Sequence, residues 1–485
     1  MARRMAMRTF DISLCMIVRD EEKTLSRCLS SVKDTVAEII VVDTGSTDRS
    51  VEIAETFGAR VINVPWKHHF AEARNAALER ATGQWILVLD ADEEWAPPAP
   101  DYLRQLLGNE QRSGYDVKLV SYVGETGQES VTDSVCRLFR NDPRIRFSGS
   151  IHEGVTDSIL AISPSGIESS SLVIRHYGYL DAVIREKNKN ERNLAIILEA
   201  LKARQDDLQL LYALGTEHFQ QKDYDKALAV FESILPRTSV YAGFASDILL
   251  KTAYACKETG NRQRALSLAE EGLRYFPDFT DLLEFMAIMH SDSGAYEAAL
   301  ELLKRAISIG DVSHKYTSSS GSGTYRSCFM AGTLHERLFM WEEAFELYGK
   351  ALQYHPNYSP AWQQLTFTAC LSGRSHRLNS FISEQLLLLS GETKSFLLQL
   401  HLDRLNNQAP PLPYSDLLLA GVLSTECGQY KESARWFMKA ADQYEGKRLI
   451  TYTGLIHSFI EAARRYSVVE LDPPESVWNC LLMED

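Results

Sequence analysis

The sequence has no long apolar run and a deficit of basic residues. No stretch of about 18 consecutive apolar residues occurs, so no transmembrane helix is expected. The basic opening MARRMAMR is followed by neither an apolar region nor a cleavage site, so it does not predict a secretory signal. The formal net charge of −14 argues against a nucleic-acid partner, because binding to a phosphate backbone relies on Lys and Arg. We therefore expect a cytoplasmic protein.

Several common motifs are also absent from the sequence. The eight cysteines form no C-x-x-C pair, which favours free, buried thiols in a reducing compartment and no zinc site. No G-x-x-x-x-G-K-[ST] motif occurs, which excludes a P-loop. The first strand is followed by the acidic turn Arg19–Glu22 and not by a glycine-rich turn, so a dinucleotide-binding fold of the NAD or FAD type is excluded.

Residues 10–90 alternate between apolar runs and amphipathic segments. DISLCMIV, EIIVVDT, ARVINV and WILVL are typical of buried strands, and the segments between them have helical spacing. This βαβαβαβ order predicts a parallel sheet that binds ligands at the carboxyl ends of its strands. After APPAP, the stretches YDVKLVSYV, VTDSVCRLFR, RIRFSGS and SLVIRHYGY are predicted to extend the sheet to about residue 185.

From about residue 205 the chain is helical and repetitive. Similar amphipathic segments begin at Tyr224, Arg262, Tyr296, Trp341, Ser375 and Tyr430. Two of the steps between them are 34 residues, and a glycine precedes most copies, as in tetratricopeptide repeats. YTSSSGSGTY is predicted to be a flexible insertion. The expected domains are 10–185 for the sheet, 186–205 for a connecting helix, 206–470 for the repeats and 471–485 for a tail.

The stretch WILVLDADEE, from Trp85 to Glu94, ends a buried strand in four carboxylates. A solvated loop is one explanation. The other is a divalent cation, Mn²⁺ or Mg²⁺, which prefers oxygen ligands and would relieve the repulsion between the carboxylates. Such an ion would also neutralise the charge on a departing nucleoside diphosphate. The D-x-D pattern alone is weak, because acidic proteins contain it by chance.

Four motifs occur in order over some 140 residues: SLCMIVRDEE, EIIVVDTGSTDRSVEIA, HFAEARNAALERATGQWILVLDADEE and LFRNDPRIRFSGSIHEGV. Together they resemble inverting family 2 glycosyltransferases of the GT-A fold, in the bacterial branch that carries tetratricopeptide repeats. The peptide glycosyltransferases that modify bacteriocin cysteines look similar. The resemblance implies an α/β nucleotide-sugar-binding domain with a mostly parallel sheet, followed by an all-α repeat domain. Family members often have Asn-Glu where this chain has Asp20-Glu21.

The resemblance implies a role for seven residues. Glu153 corresponds to the base that takes the acceptor proton in an inverting transfer. Asp92 and His176 correspond to ligands of Mn²⁺ or Mg²⁺. The nucleotide-sugar contacts, of which Asp43 would meet the base, fall on Asp43, Arg74, Asp90 and Arg137.

Each of these residues also has a plainer interpretation. Asp43 suits a turn or helix cap, Arg74 suits a surface salt bridge, and His176 suits packing beside its two neighbouring tyrosines. His152 is expected to be structural or to position the acceptor. Arg140, like Arg137, is a candidate for contact with phosphate or acceptor.

The basic run REKNKNERN has two interpretations as well. It suits a solvated helix face, or a pyrophosphate clamp formed by Lys187, Lys189 and Arg192.

The leading hypothesis is a transferase that moves a hexose from a UDP-linked nucleotide sugar to Ser, Thr or Cys of a peptide or protein. The repeats would bind the acceptor or join two subunits. Alternatives are an envelope glycan or lipid-linked acceptor, and a scaffold whose sheet domain is a relic. No Q-x-x-R-W motif of processive synthases is present, which favours a single transfer.

Overall fold

A computed structural model describes residues 10–441 apart from 126, 128, 188 and 408–411. The predicted tail 471–485 and the end of the predicted repeat region, 442–470, lie outside the described residues. Within the described part of the chain, no helix is long and apolar enough to cross a membrane.

The strands belong to one sheet. They are β1 (Ile12–Val18), β2 (Glu38–Asp43), β3 (Arg60–Asn63), β4 (Trp85–Val88), β5 (Glu93–Ala96), β6 (Gly114–Gly124), β7 (Glu129–Arg140), β8 (Ile167–Leu180) and β9 (Ser318–Ser319). Their order is β3-β2-β1-β4-β7-β6-β8-β5, and β9 pairs with β7.

The helices fall into two groups. Those around the sheet are α1 (Leu25–Val32), α2 (Ser50–Thr56), α3 (Phe70–Leu78), α4 (Pro100–Leu107), α5 (Thr156–Ile162) and α6 (Asp181–Lys187). The later ones are α7 (Lys189–Ala203), α8 (Leu208–Gln220), α9 (Tyr224–Ile234), α10 (Ala245–Glu258), α11 (Arg262–Tyr275), α12 (Thr280–Asp292), α13 (Tyr296–Ile309), α14 (Tyr325–Arg337), α15 (Trp341–Tyr354), α16 (Ser359–Leu371), α17 (Ser375–Gln385), α18 (Gly391–Asn406), α19 (Tyr414–Glu426) and α20 (Tyr430–Ala441).

The first four strands are parallel, and β1, β2 and β4 are buried on both faces, whereas the edge strand β3 is partly exposed. The apolar side of α1 covers one face of the sheet, where Leu25 and Leu29 pack with Leu14 and Leu87 in one cluster. The opposite face packs against α3. Because β1, β2 and β3 run in register, their carboxyl ends, including that of β2 at Asp43, lie at one edge of the sheet. The predicted α/β arrangement is confirmed here.

The second half of the sheet is mixed where a mostly parallel sheet was predicted. β6 and β7 form an antiparallel hairpin, β7 is antiparallel to β4, and β5 is antiparallel to β8. Only β6 and β8 are parallel in this half. The predicted strand at residues 144–150 is wrong, because this segment forms only an isolated bridge between Ser148 and Gly154. β5 was not predicted, since its acidic residues are typical of loops.

The helical repeats begin where the sequence predicts. α9, α11, α13, α15, α17 and α20 start at the six predicted residues. Two positions before each start the backbone is left-handed. Glycine takes this position in four of the turns, whereas Lys222 and Phe339 take it with φ of 60° and 58°. The turns therefore share one backbone shape, although only glycine adopts it without strain.

The chain forms two compact units. The first runs through Ser293 and includes Ile309–Ser322, and the second takes Gly294–Ser308 and the chain from Gly323 onward. The first unit thus holds the sheet together with α7 to α12. The last long strand, β8, ends at Leu180, close to the predicted end of the sheet domain at 185, and α7 lies in the predicted connecting segment 186–205. The compact units, by contrast, divide within the repeats.

The segment YTSSSGSGTY contains β9. Ser318 and Ser319 pair with Thr132 and Val131 of β7, and the Ser319 amide donates to Asp281 Oδ1 of α12 at 3.0 Å. Ser318 is buried and its hydroxyl also donates to Asp281. The prediction of a flexible insertion is therefore wrong for these residues, whose backbone groups are paired in a sheet.

Candidate active site

The loops that follow β1 and β2 are joined to each other by hydrogen bonds. Asp20, whose φ is 54°, accepts from the Thr47 amide at 2.7 Å, and its own amide donates to Ser46 Oγ at 3.0 Å. Asp43 accepts from the amides of Gly45 at 3.0 Å and Ser46 at 3.1 Å. The turn role considered for Asp43 is thus present, and its carboxylate lies buried at the carboxyl end of β2.

The acidic stretch after β4 folds into a tight turn followed by β5. The Asp90 amide donates to Glu93 Oε2 at 2.8 Å, and the Glu93 amide donates to the Asp90 carbonyl at 2.9 Å. Glu93 is fully buried. Asp92 is buried as well, so this stretch is not a solvated loop.

Two arginines compensate the buried carboxylates. Arg74 of α3 binds Glu153 Oε1 through Nε at 2.5 Å and Asp90 Oδ1 through Nη2 at 2.8 Å. Arg137 of β7 binds Asp90 Oδ2 at 3.3 Å and Glu93 Oε1 at 3.1 Å. Arg74 is 7% exposed, so it is not the surface salt bridge that the sequence allowed. Charges of opposite sign alternate from Glu153 to Glu93.

This charge network sets the protonation of its acids. Burial alone would raise the pKa of Asp90, but the guanidinium groups of Arg74 and Arg137 lower it below the ordinary value. Burial raises the pKa of Glu93, although Arg137 partly opposes the shift. Asp90 is therefore ionised at neutral pH, as a group that holds two arginines must be.

The pairing of β5 with β8 brings His176 to Asp92. Glu93 lies opposite His176 in this pair, and the Tyr177 amide donates to the Asp92 carbonyl at 3.1 Å. His176 Nε2 is 3.5 Å from Asp92 Oδ1, and its Nδ1 is 3.2 Å from Ser121 Oγ. Burial would lower the pKa of His176, but the Asp92 carboxylate raises it.

Lys189, the first residue of α7, completes this cluster. Its Nζ binds Asp92 Oδ2 at 2.8 Å and donates to the Gly178 carbonyl at 3.2 Å. A Cβ on Gly178 would lie 2.4 Å from Asp92 Oδ2, 2.5 Å from His176 Nε2 and 2.6 Å from Lys189 Nζ. A carboxylate, an imidazole and an ammonium thus converge on one point that only glycine leaves open.

The loop that carries Glu153 lies between β7 and α5. Asn75, the neighbour of Arg74 on α3, makes a pair of hydrogen bonds with the backbone of Phe147, at 3.0 and 2.9 Å. Ile151 of the loop packs in a cluster with Ile196 and Ile197 of α7 and with residues of α8. The loop is therefore held between α3 and the first helices of the repeat region.

Comparison with known proteins finds two family models that match parts of this chain. Residues 13–161 match the model of Glycosyl transferase family 2, and residues 208–235, which hold α8 and α9, match a tetratricopeptide repeat model. Residues 13–161 are therefore similar to a family 2 glycosyltransferase domain. The predicted combination of this domain with tetratricopeptide repeats is confirmed.

Two curated proteins illustrate the similarity. A TPR repeat-containing protein of Synechococcus elongatus is 41% identical over 221 residues, which are 44% of this chain and 54% of that protein. Glycosyltransferase SunS of Bacillus subtilis, described as SPbeta prophage-derived, is 29% identical over 215 residues, 44% of this chain and 50% of that protein. The chain spans about half the length of these relatives.

A solved structure matches the helical part. A TPR protein of Thermus thermophilus is 18% identical, with a TM-score of 0.30, over 39% of this chain and 95% of that chain.

Asp92, within the matched residues 13–161, and His176, beyond them, form a donor set that suits a divalent cation. Among the residues that the structure describes, no group of three or more His, Cys, Asp and Glu side chains is placed to hold a metal. Mg²⁺ is commonly bound by one or two carboxylates together with substrate phosphates and water, and imidazole is a further ligand type. The pair fits a cation whose other ligands come from a diphosphate and water.

Two other arginines that were predicted near the site, Arg140 and Arg192, make other contacts. Arg140 lies 4.3 Å from the centre of the Trp85 ring and donates to the carbonyls of Asn109 and Arg112, so its role is structural. Arg192 lies over the Phe70 ring at 5.6 Å. The side chain of Lys187 is outside the described part of the structure.

Sequence reasoning missed Glu93 and Asn75 as parts of the site. Glu93 follows the D-x-D pair in an acidic run that gives no sign of burial. Asn75 stands beside Arg74 in the stretch EARN, and two adjacent polar residues on the buried side of a helix are the signal that could have found it.

A second polar cluster lies where the first repeats meet the family 2 domain, within the first compact unit. Tyr179 of β8 is close enough to Asp92, Asp133, Glu217 and Lys251 for their charges to affect its pKa, and burial raises that pKa to about 12. Glu217 accepts from Asn193 Nδ2 at 2.9 Å through one oxygen.

Buried polar atoms without a protein partner remain on both sides of this region. Among the described residues, Glu217 Oε2 and Arg74 Nη1 are buried and have no hydrogen-bond partner. Such atoms are uncommon in native proteins and suggest a bound ligand or water.

Proposed function

We propose that this chain transfers a hexose from a nucleoside diphosphate sugar, UDP-linked, to a hydroxyl or thiol of a peptide or protein side chain, with inversion at the anomeric carbon. The observation that carries the proposal is the continuous network from Glu153 through Arg74 to Asp90, beside Asp92 and His176. This network joins a candidate base to a candidate diphosphate site across the carboxyl ends of the strands.

Glu153 acts as the base in the proposed reaction. The acceptor oxygen or sulfur attacks the anomeric carbon from the side opposite the diphosphate, and its proton passes to the Glu153 carboxylate. The bond from the anomeric carbon to the diphosphate oxygen breaks, and the electron pair leaves with the nucleoside diphosphate. Because Arg74 binds Oε1 of Glu153, the other oxygen is the one proposed to receive the proton.

The remaining site residues bind the donor. Asp43, at the end of β2, is proposed to meet the nucleoside base, and Asp90 to meet the ribose or a water bound to the cation. Asp92 and His176 would hold Mn²⁺ or Mg²⁺, which supplies charge neutralisation at the leaving diphosphate. The unpaired Arg74 Nη1 is proposed to donate to an oxygen of the sugar.

The peptide or protein acceptor is proposed from the repeats. Tetratricopeptide hairpins offer surfaces that suit peptides. The first of them packs against the loop that carries Glu153, within one compact unit, through Ile151, Ile197 and Leu210. An acceptor bound along α8 and α10 would therefore reach the base. The unpaired Glu217 Oε2 favours an acceptor with a hydrogen-bond donor near the modified side chain.

Calorimetric titration tests the proposal. UDP, UDP-glucose, UDP-galactose, UDP-N-acetylglucosamine and GDP-mannose would each be titrated into the protein with and without Mn²⁺. Asp92→Ala is the test variant, and Asp101→Ala is its control, because Asp101 is an exposed carboxylate on α4 whose ion pair within the described residues is with Arg104. We expect binding of UDP-sugars that needs Mn²⁺ and falls at least about tenfold in Asp92→Ala only, a loss of about 1.4 kcal/mol.

Two outcomes would contradict the proposal. Binding of no nucleotide sugar under either condition would favour the scaffold, in which the repeats alone recruit partners. Equal binding of UDP-sugars by Asp92→Ala and by the unsubstituted protein would show that Asp92 does not hold a cation at the donor site.

A further inference from the structure

We propose that the Lys189 ammonium occupies the cation position in the free protein and must leave it before a divalent cation binds. The inference rests on the proposed function, since it takes Asp92 and His176 as the cation's ligands. It adds a residue that controls access to them and an order in which cation and donor bind.

The geometry around Gly178 carries this inference. The point where a Cβ would stand lies 2.4 to 2.6 Å from Asp92 Oδ2, His176 Nε2 and Lys189 Nζ. Asp92 Oδ1 and His176 Nε2 are 3.5 Å apart, a separation that two ligands of one ion have when each lies about 2.1 Å from it. The ammonium is the third group at the same point.

Lys189 satisfies Asp92 in the absence of an ion. Its Nζ makes a 2.8 Å ion pair with Asp92 Oδ2, and both side chains are largely buried, 17% and 8% exposed. A buried carboxylate without a compensating charge is strongly unfavourable. The ammonium therefore takes the place of the cation in this structure.

The ammonium and a divalent cation exclude each other. Both carry positive charge and both need Asp92, and two cations at one carboxylate within a few ångströms repel each other in a partly buried site. The Lys189 side chain has a flexible four-carbon stem, so its ammonium is able to leave without movement of the helix. α7 itself is fixed by Ile196 and Ile197, which are buried against Ile151.

The diphosphate of the donor gives the displaced ammonium a new partner. A compact ammonium is a common phosphate ligand. Cation and donor then bind cooperatively, because the diphosphate accepts Lys189 and frees Asp92, and the coupling is equal in both directions. In the free protein, by contrast, Lys189 keeps the affinity for a bare cation low.

Manganese binding measured without turnover tests the inference. Free Mn²⁺ would be followed by electron paramagnetic resonance in the full chain, first alone and then with UDP. The test variant is Lys189→Met, with Lys189→Gln as a second variant. Lys202→Met is the control, because Lys202 lies on the same helix and pairs with Glu199 at an exposed site. Circular dichroism checks that each variant folds.

We expect Lys189→Met and Lys189→Gln to bind Mn²⁺ alone about tenfold or more tightly than the unsubstituted chain, while Lys202→Met is unchanged. The strengthening of Mn²⁺ binding by UDP should shrink in both Lys189 variants. Equal or weaker binding of bare Mn²⁺ by both would overturn the inference.

Asp92→Ala separates this inference from the proposed function. If Mn²⁺ binding with UDP depends on Asp92 but not on Lys189, the cation site stands and the displacement of Lys189 is wrong. If Asp92→Ala binds Mn²⁺ with UDP as well as the unsubstituted chain does, the cation site is wrong, and the role of Lys189 is overturned with it.

Discussion

Each compact unit contains an arginine buried against a carboxylate, and the two environments differ. In the first unit, Arg74 joins Asp90 and Glu153 at the carboxyl ends of the strands. In the second, Arg404 of α18 binds Asp416 Oδ1 of α19 at 2.7 Å. Arg74 belongs to a network that continues through Asp90 to Arg137 and Glu93, whereas the ion pairs of the described residues give Arg404 one carboxylate partner. Burial of charge alone therefore does not mark a site.

The second network also contains uncharged partners, although Arg404 Nε, Arg404 Nη1 and Asp416 Oδ2 are buried without a hydrogen-bond partner among the described residues. Arg404 Nη2 also donates to Asn379 Oδ1 at 3.2 Å, and His401 Nε2 is 2.8 Å from the Asp416 carbonyl. The side chain of Asn379 donates to Asp416 as well. These contacts join α17, α18 and α19, which indicates a structural role in the packing of neighbouring repeats.

The largest expected effect belongs to the first network. Glu153→Gln removes the proposed base and keeps the shape of the side chain, so transfer to a hydroxyl acceptor should fall about 10²–10⁴-fold. Donor binding should change little. Transfer rates would be measured on a fixed acceptor, with Glu168→Gln as control, since Glu168 pairs with Arg112 at the surface.

The acceptor atom sharpens this prediction. A thiol ionises readily near its pKa of about 8.5, so a Cys acceptor should lose less from Glu153→Gln than a Ser or Thr acceptor does. Unchanged rates on every acceptor would show that Glu153 is not the base.

The next largest effect is expected on the free energy of unfolding, from a substitution that breaks the second network. Arg404→Met leaves Asp416 buried without its charge partner and should lower the free energy of unfolding by about 3–5 kcal/mol. Denaturant titration would measure this, with Arg435→Met as control, because Arg435 pairs with Glu432 at an exposed site worth at most about 1 kcal/mol. UDP binding by the folded protein should be unchanged in both variants. A loss of UDP binding would mean that the second network serves the site.

The pH dependence of stability should also distinguish the two networks. Burial and then the charge of Arg404 lower the pKa of His401 to about 4, below its unfolded value of about 6.5. The unfolded chain then binds more protons, so stability falls as the pH drops from about 6.5 to 4, by up to about 3 kcal/mol. The pKa of Asp90 is lowered instead, so its contribution to the stability of the protein is lost only when the pH falls below about 4, the ordinary pKa of an aspartate.

His401→Gln measures the contribution of this histidine directly. Unfolding free energies of the variant and the unsubstituted chain would be compared at pH 7 and pH 5. The difference between the two proteins should change with pH, and a constant difference would contradict the lowered pKa.

The smallest effects are expected in the turns of the repeats. Lys222 in the first unit and Phe339 in the second are left-handed at a position where other repeats have glycine. Lys222→Gly and Phe339→Gly should each stabilise the protein by about 0.5–1 kcal/mol, since relief of strain outweighs the added entropy of the unfolded chain. Gly373→Ala is the reverse control and should destabilise. Thermal unfolding would measure all three.

The sequence predicts those parts of the fold that depend on local pattern. The first four strands and the starts of six repeat helices follow from apolar periodicity and from glycine in the turns. The prediction of a strand at residues 144–150 is wrong, because this alternating segment forms the start of the loop that carries Glu153. Alternation of apolar and polar residues is not specific to strands when a loop is buried on one side.

The site is less predictable than the fold, since long-range pairing builds it. β5 is an acidic strand stabilised by Arg137, far away in the sequence. Only the pairing of β5 with β8 explains why His176 comes to Asp92. The resemblance to a glycosyltransferase family implied roles for both residues, but it did not explain what brings them together. Lys189 was named as a possible phosphate ligand, but its contact with Asp92 depends on where α7 begins.

The pairing of β9 with β7 has a consequence for biosynthesis. Val131 and Thr132 pair with residues 318–319, which leave the ribosome only after α7 to α12 have been made. The sheet therefore cannot be completed during synthesis of the domain to which it belongs. Until then the free edge of β7 is open to pairing with other chains, a known route to aggregation. A fragment cut at the apparent end of the sheet domain would keep this edge exposed permanently.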